Sequence, residues 1–503
     1  MADTVALPLY TAAQARALDR VAIEDHGIPG ITLMARAGRA AFDVLQAHFS
    51  ALPPLHVVCG TGNNGGDGFV IARLALDAGW PVEVWLVGDE ERIAGDARLA
   101  FAAARSAGVA IRAFDPGRCF ERGVIVDALL GTGLGGAVRA LHAEAIGAIN
   151  ASGLPVIAVD IPSGLCSDTG TALGVAVRAT HTVTFIGRKR GQFTAAGREH
   201  CGKLHFADLG VPSAVYREVG AEAELLAFTA MPARARTAHK GHFGHVLVVG
   251  GNLGMGGAAA LAAEAAARCG AGLVSLATMP ANVAAIVARR PEIMAHGVEH
   301  PQQLEPLLAR ATVLVVGPGL GRGAWAEQML QRVLASGKTT VIDADALNTL
   351  ADGVPAMRSS CEKWLLTPHP GEAARLLGCT SAEVEADRFG ALGALLACFP
   401  GAVVLKGAGT LVADAASTLI GVCPYGNPGM ASGGMGDVLS GVLAALLAQG
   451  ATLGEAARRG VCLHAHAADC AVAGDGERGL LATDLLPWLR RLLNGVDAVG
   501  PAA

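Results

Sequence analysis

One repeated pattern accounts for most of this 503-residue chain: a short apolar run, a glycine-rich turn and a stretch with helical spacing. The apolar runs cover residues 55–60, 82–88, 123–130, 155–161, 181–186 and 203–208, and later 245–251, 272–279, 312–319, 339–345, 364–370, 402–409 and 418–424. This alternation is typical of a parallel sheet with helices packed on it. Because the runs are short and continuously apolar, the strands are predicted to be covered on both faces. The pattern therefore predicts an α/β fold.

The chain is long enough for more than one domain, since a domain averages roughly 150 residues. Between Pro212 and Thr237 the pattern lapses, because this stretch contains Pro232 and no strand–turn–helix unit. We therefore predict two α/β domains, residues 1–220 and 221–503. The two halves share no evident sequence, so a duplication is not indicated.

Charge and composition exclude two broad classes of protein. The formal net charge is -5 and basic residues form no blocks, whereas nucleic-acid binders need a positive surface that neutralises phosphates. The chain is 52% hydrophobic and only 17% charged, which excludes global disorder. We therefore expect a folded protein that binds small molecules and no nucleic acid.

Cysteine spacing and apolar length indicate the compartment. The eleven cysteines are scattered singly, without CxxC or metal-ligand spacing, which fits free thiols in a reducing cytosol. The N-terminal segment lacks the basic and apolar regions of a signal peptide. The apolar stretch Val438–Ala448 is too short to span a bilayer. We therefore expect a cytoplasmic protein without a membrane segment.

The segment TGNNGGDGFVIARLAL, Thr61–Leu76, lies between a predicted strand and a helix predicted at Phe69–Asp77. Its glycines, at positions 62, 65, 66 and 68, are expected to take positive φ and to let the backbone approach a ligand. Amides at a helix N-terminus favour an anion such as a pyrophosphate. Asn63, Asn64 and Asp67 add directional polar groups. A tight turn that satisfies its own asparagines is the alternative, but it does not need so many polar residues.

Two further strands of the first half end in aspartates. Asp127 precedes the glycine-rich loop 131–137, and Asp160 precedes Ser163. Ligands of open parallel sheets lie outside the carboxyl ends of strands, so Asn64, Asp127 and Ser163 are expected in one crevice. Their oxygens suit a hard cation, and Asp160 is the candidate for proton transfer. Each aspartate alone fits equally well as a cap of the turn that follows it.

In this order and at these distances, NNGGDG, VDALLGTGL and VDIPSGL resemble the NAD(P)H-hydrate epimerase domain, over roughly Tyr10–Pro212. The resemblance implies a Rossmann-like three-layer sandwich that interconverts the R and S hydrates of NADH and NADPH. It implies that Asp160 is the acid/base residue and that potassium binds Asn64, Asp127 and Ser163. Lys189 resembles a lysine after the family's sixth strand, although a solvated basic turn fits equally. The implied hydrate contacts are Asn63, Asn64, Gly65, Gly66, Asp67, Gly131, Thr132, Gly133, Leu134, Gly135, Gly136, Ala137 and Asp160.

In the second half, the segment NPGMASGGMGDVLSG, Asn427–Gly441, leads into a helix predicted to begin near Asp437. The free amides of such a turn stabilise charge on a transferring phosphoryl group. Asp437 is placed to take a proton from an attacking hydroxyl. The alternative is an ordinary aspartate N-cap on a glycine loop.

Two residues at other strand ends are further candidates. His369 stands between two prolines at a strand exit, which favours a role in a site. Lys406, one of only six lysines, ends a strand before a glycine turn, where a nucleotide phosphate or a structural salt bridge would be its partner. The small residues before the predicted helix Ala258–Arg268 leave room for a flat ligand or serve helix–sheet packing.

The ordered segments GPGLG, DADALN, TPHPGE, KGAGT and NPGMASGGMGD resemble the ADP-dependent NAD(P)H-hydrate dehydratase domain of the ribokinase-like superfamily, over roughly His239–Leu493. The resemblance implies that magnesium bridges the phosphates and that Asp437 is the base. The implied hydrate contacts are Ala258, Gly319, His369 and Asp437. The implied nucleotide contacts are Lys406, Gly407, Ala408, Gly409, Thr410 and Gly436.

Together the two resemblances predict a bifunctional enzyme that repairs damaged nicotinamide cofactors. The first domain would epimerise R to S hydrate, and the second would phosphorylate the S hydrate from ADP and eliminate phosphate to regenerate NAD(P)H. The alternative is a ribokinase-like small-molecule kinase fused to a non-catalytic binding module. Alanine-rich helices favour a homo-oligomer. The sequence leaves the choices between ADP and ATP and between NADH and NADPH open.

Overall fold

The computed structural model describes residues 7–353 and 358–496. The chain divides into two compact units, Pro8–Ala223 and the chain from Glu224 onward. The division falls within residues 212–237, where the repeated pattern lapses.

The N-terminal unit is built on a seven-stranded parallel sheet. The strands of this sheet are β2 (Leu55–Cys59), β3 (Val82–Leu86), β4 (Ala110–Ala113), β5 (Val124–Ala128), β6 (Val156–Val159), β7 (His181–Phe185) and β9 (Lys203–Ala207). Two short strands outside it, β1 (Leu7–Tyr10) and β8 (Arg188–Lys189), pair with each other in parallel. The sheet order is β4-β3-β2-β5-β6-β7-β9, with every neighbouring pair parallel. The helices are α1 (Ala12–Glu24), α2 (Gly30–His48), α3 (Asn63–Asp77), α4 (Gly95–Ser106), α5 (Ala140–Ala151), α6 (Gly197–His200) and α7 (Ser213–Glu218).

Alternate residues of these strands pack into two separate cores. Val57 and Cys59 of β2 pack on the side of α2, α3 and α4, whereas Val58 packs on the side of α5, with Ile146 and Ile149. The sheet is therefore covered on both faces, as its continuously apolar runs predict. The three-layer α/β architecture expected for this half is confirmed.

The second unit contains one long sheet and a set of covering helices. Its strands are β10 (Ala223–Leu225), β11 (His245–Val249), β12 (Leu273–Thr278), β13 (Met294–Gly297), β14 (Val313–Val316), β15 (Thr339–Ile342), β16 (Trp364–Leu366), β17 (Ala402–Leu405), β18 (Leu411–Asp414) and β19 (Ile420–Val422). Its helices are α8 (Gly256–Arg268), α9 (Val283–Arg289), α10 (Glu305–Arg310), α11 (Ala324–Ala335), α12 (Ala344–Ala351), α13 (Pro370–Leu377), α14 (Ser381–Ala386), α15 (Arg388–Cys398), α16 (Met435–Ala448), α17 (Leu453–Asp475) and α18 (Leu485–Leu493). The expected α/β class is confirmed here too.

The expectation of a wholly parallel second half is wrong at its end. The order β13-β12-β11-β14-β15-β16-β17-β18-β19 is parallel as far as β17, but β17–β18 and β18–β19 are antiparallel. Residues 406–410 are too few for the helical crossover that parallel strands need, so the chain returns as a hairpin. The apolar-run pattern also misses β4 and β13, which are largely exposed edge strands and therefore lack a continuous apolar run.

Three helices begin earlier than their sequence patterns predict. Helix α3 begins at Asn63 rather than Phe69, α8 at Gly256 rather than Ala258, and α16 at Met435 rather than near Asp437. In each case glycines occupy the first turn and weaken the local helical signal.

The alanine-rich helix α8 packs within its own unit. Its buried face, which includes Ala259, Ala262 and Ala266, joins the core formed with α16. These alanines therefore do not supply the surface for self-association that their composition suggests, and the oligomeric state stays a prediction. Within the described ranges, no helix is long and apolar enough to cross a bilayer.

Candidate active sites

A cavity of about 670 Å³ opens at the carboxyl ends of β2, β5 and β6 in the N-terminal unit. It collects predicted site residues from three separate stretches of the sequence, because these strands are neighbours in the sheet. Gly65, Gly66 and Gly136 do not line it. The predicted residues that line it are Asn63, Asn64, Asp67, Gly131, Thr132, Gly133, Leu134, Gly135, Ala137 and Asp160.

The glycines of the first motif act in helix packing rather than through positive φ. None of the glycines at positions 62, 65, 66 and 68 has positive φ, which corrects the expectation from the sequence. A Cβ at Gly65 would lie 2.0 Å from the carbonyl oxygen of Gly60, and one at Gly68 would lie 2.6 Å from Cβ of Ala128. The glycines therefore let α3 lie directly on β2 and β5. This contact brings Asn63 and Asn64, at the helix N-terminus, to the rim of the cavity.

Asp160 and Lys189 form a buried ion pair at the cavity wall. Lys189 Nζ donates to Asp160 Oδ1, to Thr184 Oγ1 at 3.0 Å and to the Phe185 carbonyl at 3.2 Å. Only 2% of Lys189 is exposed, so the solvated-turn interpretation of this lysine is wrong. Asp160 has φ +66°, a strained value for a non-glycine residue. Gln192 Nε2 donates a hydrogen bond of 2.9 Å to the carbonyl oxygen of Asp160. The aspartate is thus fixed in place and does not cap its own turn.

Three more carboxylic acids, Asp19, Asp67 and Asp96, line this cavity with Asp160. Desolvation in the cavity raises the pKa of Asp19 to about 6, with Lys189 opposing the shift and Asp160 adding to it. Burial also raises the pKa of Asp67 well above its usual range, and the charges of Asp160 and Asp19 add to that effect. Asp19 lies on α1, far from the glycine motifs, and its sequence surroundings give no signal of a site. Asp19, Asp67 and Asp160, together with Lys189, make the cavity able to hold and move protons.

Of the three residues predicted to bind a cation, Asn64 lines the cavity, whereas Asp127 and Ser163 do not. Asp127 and Ser163 are fully buried, and Ser163 donates to Asp127 through Oγ at 2.6 Å and through its amide at 2.8 Å. Burial raises the pKa of Asp127 to about 6, against these hydrogen bonds. Asp127 also accepts from the amide of Leu129 at 3.3 Å, so the capping interpretation is correct in part. Gly131 packs against Asn64, whose side-chain nitrogen is buried without a hydrogen-bond partner in the described part of the chain. A buried carboxylate among oxygen donors fits a monovalent or divalent hard cation.

In the second unit, five adjacent strands bring the remaining predicted residues to one edge of the sheet. The strands β11, β14, β15, β16 and β17 are neighbours, and their carboxyl ends carry the predicted motifs. Gly319 has φ +57°. A Cβ at this position would lie 3.1 Å from Cβ of Ala258 and 2.5 Å from the carbonyl oxygen of Met255. The first turn of α8 and the GPGLG loop are therefore in direct contact.

Lys406 sits at the centre of this edge. Its Nζ lies 2.9 Å from Asp343 Oδ1 and 3.8 Å from Glu372 Oε2, and a Cβ at Gly436 would lie 3.3 Å from the same nitrogen. Burial alone would lower the pKa of Lys406, but Asp343, Glu372 and Asp437 outweigh it and raise that pKa. Both interpretations of Lys406 therefore remain open. Its ion pairs fit a structural salt bridge, and its place at the glycine turn fits a contact with a nucleotide phosphate.

Two buried carboxylates at this edge were not identified as site residues from the sequence. Asp343 follows β15 and accepts from Ser440 Oγ at 2.7 Å on α16. Burial raises the pKa of Glu372 to about 7, against the charge of Lys406. Both residues lie in motifs recognised in the sequence, Asp343 in DADALN and Glu372 in TPHPGE. No local feature of the sequence, however, distinguishes a carboxylate of a binding site from one that caps a helix.

Asp437 lies in the first turn of α16, not at its cap. Gly434, with φ +90°, is the N-cap residue, so the N-cap interpretation of Asp437 is wrong. Burial raises the pKa of Asp437 to about 6, with Asp343 and Asp345 raising it further and Lys406 opposing. A carboxylate with this pKa is ionised at neutral pH yet basic enough to accept a proton.

His369 caps α13 as well as facing solvent. Its Nδ1 accepts from the amides of Gly371 at 3.0 Å and Glu372 at 3.4 Å, while Glu372 accepts from the His369 amide at 2.8 Å. About half of its side chain is exposed, with Nε2 3.5 Å from Glu372 Oε1. Burial lowers the pKa of His369, and Lys406 lowers it further. The ring is therefore neutral and fixed, which suits a contact with an uncharged ligand group.

Arg388 positions the KGAGT turn. The guanidinium is 1% exposed and donates to the carbonyls of Leu405 at 3.3 Å and Lys406 at 3.2 Å. Gly407 has φ +143°, and a Cβ there would lie 2.6 Å from the same guanidinium. Thr410 closes the turn with a hydrogen bond to the Gly407 carbonyl at 3.1 Å. Arg388 is far from the turn in sequence, so sequence patterns do not reveal it.

Family models match both halves of the chain. A model described as NAD(P)H-hydrate dehydratase matches residues 246–491, and a model described as YjeF-related protein N-terminus matches residues 30–191.

The chain is also similar to curated proteins over nearly its whole length. It is 49% identical to the bifunctional NAD(P)H-hydrate repair enzyme Nnr of Coxiella burnetii, over 97% of this chain and 99% of that protein. The protein of the same name from Vibrio cholerae is 44% identical, over 98% of this chain and 100% of its own length. Among solved structures, the ADP/ATP-dependent NAD(P)H-hydrate dehydratase from Bacillus subtilis, co-crystallized with ATP/Mg²⁺, is 27% identical. It covers 53% of this chain and 94% of its own, with a TM-score of 0.46.

Proposed function

Because the chain belongs to the family of bifunctional NAD(P)H-hydrate repair enzymes, we propose that it restores NADH and NADPH from their hydrates in two reactions, one in each unit. The observation that carries this proposal is that single relatives match both units along nearly their full length. A lone kinase fused to an unrelated binding module would not match in this way.

The N-terminal unit epimerises the R and S hydrates, and Asp160 is the catalytic acid/base. Lys189 holds the Asp160 carboxylate in place through a hydrogen bond. The cavity has room for the hydrated nicotinamide, since small-molecule pockets commonly measure about 300–1,000 Å³. The amides at the start of α3 favour the pyrophosphate. The hydrate contacts are those that the resemblance implies, at residues 63–67, 131–137 and Asp160.

Potassium is the proposed cation of the N-terminal unit, with Asn64, Asp127 and Ser163 as its side-chain ligands. Asp127 supplies a buried carboxylate, and Ser163 and Asn64 supply neutral oxygens. A bound cation would neutralise Asp127 and hold the loop that begins at Gly131 against Asn64. This arrangement shapes the wall of the cavity without taking part in proton transfer.

The second unit dehydrates the S hydrate with ADP as phosphoryl donor. Asp437 takes the proton from the ring hydroxyl as that oxygen attacks the terminal phosphorus of ADP and AMP leaves. Loss of phosphate together with a proton from the adjacent ring carbon then restores the nicotinamide double bond, because phosphate leaves far more readily than hydroxide. Ala258, Gly319 and His369 contact the hydrate in this proposal.

The nucleotide lies along residues 406–410 and Gly436. Lys406 supplies a cation for the phosphates, and the free amides before α16 supply hydrogen-bond donors. Magnesium is the proposed cation of this unit and would neutralise charge between the phosphates, and Asp343, Asp345 and Glu372 are carboxylates at the same edge of the sheet. We further propose a cytoplasmic protein, since none of the described cysteines forms a disulfide. Self-association, which the alanine-rich composition of the helices suggests, is part of the same proposal.

The test is incubation of the full chain with hydrated NADH and either ADP, ATP or no nucleotide. We expect nucleotide-dependent return of the reduced-nicotinamide absorbance, with release of one phosphate per NADH. A stable phosphorylated product without recovered NADH would instead establish the kinase alternative. In parallel, chromatography of purified R hydrate should show conversion to S faster than in buffer. Unchanged R hydrate in the presence of the unmutated protein would contradict the epimerase assignment.

A further inference from the structure

Three histidines of the N-terminal unit meet on the face of the sheet that α2 covers. His48 is the last residue of α2, His181 begins β7, and His205 lies in the edge strand β9. One ring nitrogen from each lies within 4.8 Å of the others. The group is remote from the cavity, because His181 stands at the amino end of β7 whereas Phe185, at its carboxyl end, lines the cavity.

The ring nitrogens are spaced as a tetrahedral metal ion requires. His181 Nδ1 lies 3.0 Å from His205 Nε2. Two nitrogens bound to one tetrahedral zinc ion lie about 3.3 Å apart, given Zn–N bonds of about 2.0–2.1 Å. A metal ion therefore fits between these two rings with a displacement of a few tenths of an ångström.

A hydrogen bond to the backbone determines which ring nitrogen of His48 carries the proton. His48 Nδ1 lies 2.9 Å from the carbonyl oxygen of Val44, which can only accept, so Nδ1 carries the proton. Nε2 of His48 consequently keeps its lone pair. Metal-binding histidines are commonly oriented by such a hydrogen bond from the second ring nitrogen.

The surroundings favour the neutral form of the two strand histidines and leave one side of the group open. Burial, the neighbouring rings and Lys203 together lower the pKa of His205 to about 4. His181 is buried, whereas His48 is exposed. The positive charge of Lys203 lowers the pKa of both His181 and His205. Because Lys203 is exposed, solvent screens its repulsion of a cation. The C-terminal end of α2 also favours positive charge next to His48.

We propose that His48, His181 and His205 bind one divalent transition-metal ion, with Zn²⁺ as the best match to three imidazoles and a fourth position open to solvent. The ion links the last turn of α2 to the edge strand of the sheet. It therefore stabilises the N-terminal unit and takes no part in either proposed reaction.

Equilibrium dialysis of the full chain against Zn²⁺, in a potassium buffer without nucleotide, tests the site. The variants are His48→Gln and His205→Gln, and the control is His26→Gln, a partly exposed histidine elsewhere in the same unit. We expect one zinc per chain in the unmutated protein and the control. Loss of a ligand should weaken binding by more than the 10- to 100-fold that loss of a second-shell partner typically costs. Equal zinc binding in all four proteins, or none in the unmutated one, would overturn the proposal.

The visible absorption of bound Co²⁺ is a second measurement, and it distinguishes this site from other cation sites. Co²⁺ held by three imidazoles in a tetrahedral field gives strong visible absorption, whereas six-coordinate oxygen sites absorb weakly. We expect strong bands in the unmutated protein and in His26→Gln, and their loss in His48→Gln, with epimerase activity retained in that variant. Weak bands in the unmutated protein, or bands that survive in His48→Gln, would contradict the assignment.

Discussion

At the scale of single residues, chemistry in the N-terminal unit depends on how Lys189 holds Asp160. The carboxylate is mostly buried, and its charge is matched by an ammonium group with three acceptors. A buried pair of this kind need not stabilise the fold by itself, but either partner left alone is costly. The pair therefore fixes the position of the proposed catalytic group.

We predict that Lys189→Met lowers the free energy of unfolding of the N-terminal unit by about 3–5 kcal/mol, because it leaves Asp160 buried and unpaired. The double variant Lys189→Met/Asp160→Asn should regain most of that loss, since a neutral amide replaces the charge. Urea unfolding of the full chain, monitored by tryptophan fluorescence, measures both. A double variant no more stable than Lys189→Met alone would show that the cost does not come from the unpaired carboxylate.

We predict that dehydratase activity falls in acid as Asp437 becomes protonated. The folded-state pKa of this carboxyl is raised to about 6, and only the ionised form can accept a proton. The rate should be level above that pH and fall about tenfold per pH unit below it. The measurement is kcat/KM for S hydrate at saturating ADP between pH 5 and 8, values chosen to span about one unit or more on each side of that pKa. A rate that rises as the pH falls through 6 would exclude Asp437 as the base.

At the scale of secondary-structure elements, glycines set how closely helices approach their neighbours. In α16, Gly441 faces α8, and a Cβ there would lie 2.1 Å from the carbonyl oxygen of Ala262. Helix α16 carries Asp437 in its first turn and Ser440 in its second, so its position against α8 determines where both side chains point. This close contact between α16 and α8 thereby supports the site.

We predict that Gly441→Ala destabilises the second unit by about 1–3 kcal/mol through overpacking, despite the better helix propensity of alanine. Gly393→Ala in α15 is the matched control, since nothing lies within 4 Å of a Cβ at that position. The control should instead gain about 1 kcal/mol from propensity. Thermal and urea unfolding of the two variants give the comparison. Equal changes of the same sign would refute the packing argument.

At the scale of the whole molecule, each unit carries its own complete set of candidate catalytic groups. The cavity with Asp160 is lined only by residues of the N-terminal unit, and Asp343, Lys406 and Asp437 all belong to the second unit. The hydrate is a small diffusible molecule. The two proposed reactions can therefore proceed on separate copies of the chain.

We predict that Asp160→Asn repairs only the S fraction of hydrated NADH rapidly, while Asp437→Asn equilibrates R and S without forming NADH. An equimolar mixture of the two variants should restore complete repair, because the hydrate diffuses between them. For each variant and for the mixture, the measurements are the recovery of the reduced-nicotinamide absorbance and chromatography of the residual hydrate. Failure of the mixture, with each single activity intact, would mean that the hydrate must pass between units of one chain.

Sequence patterns predict the interior strands well because continuous apolar runs are a local signal of burial on both faces. They miss β4 and β13, whose exposed positions at the sheet edges leave no such run, and they miss the hairpin through β18. The glycine motifs mark the strand ends correctly, yet the conformational role expected of the glycines after β2 is wrong. That role depends on how near α3 lies to β2, which no local pattern encodes.

The alternation of apolar runs, turns and helices is enough to determine an α/β chain with candidate ligand motifs at strand ends, since each of these signals is local. The tertiary structure alone decides which strand ends become neighbours, because the sheet order departs from the order along the chain. It pairs Lys189 with Asp160 across 29 residues and Lys406 with Asp343 across 63. It also brings Asp19 and Asp67 to the cavity that Asp160 lines. Ion pairing and desolvation depend on distances in space, and these set the protonation of the groups that the proposed chemistry needs.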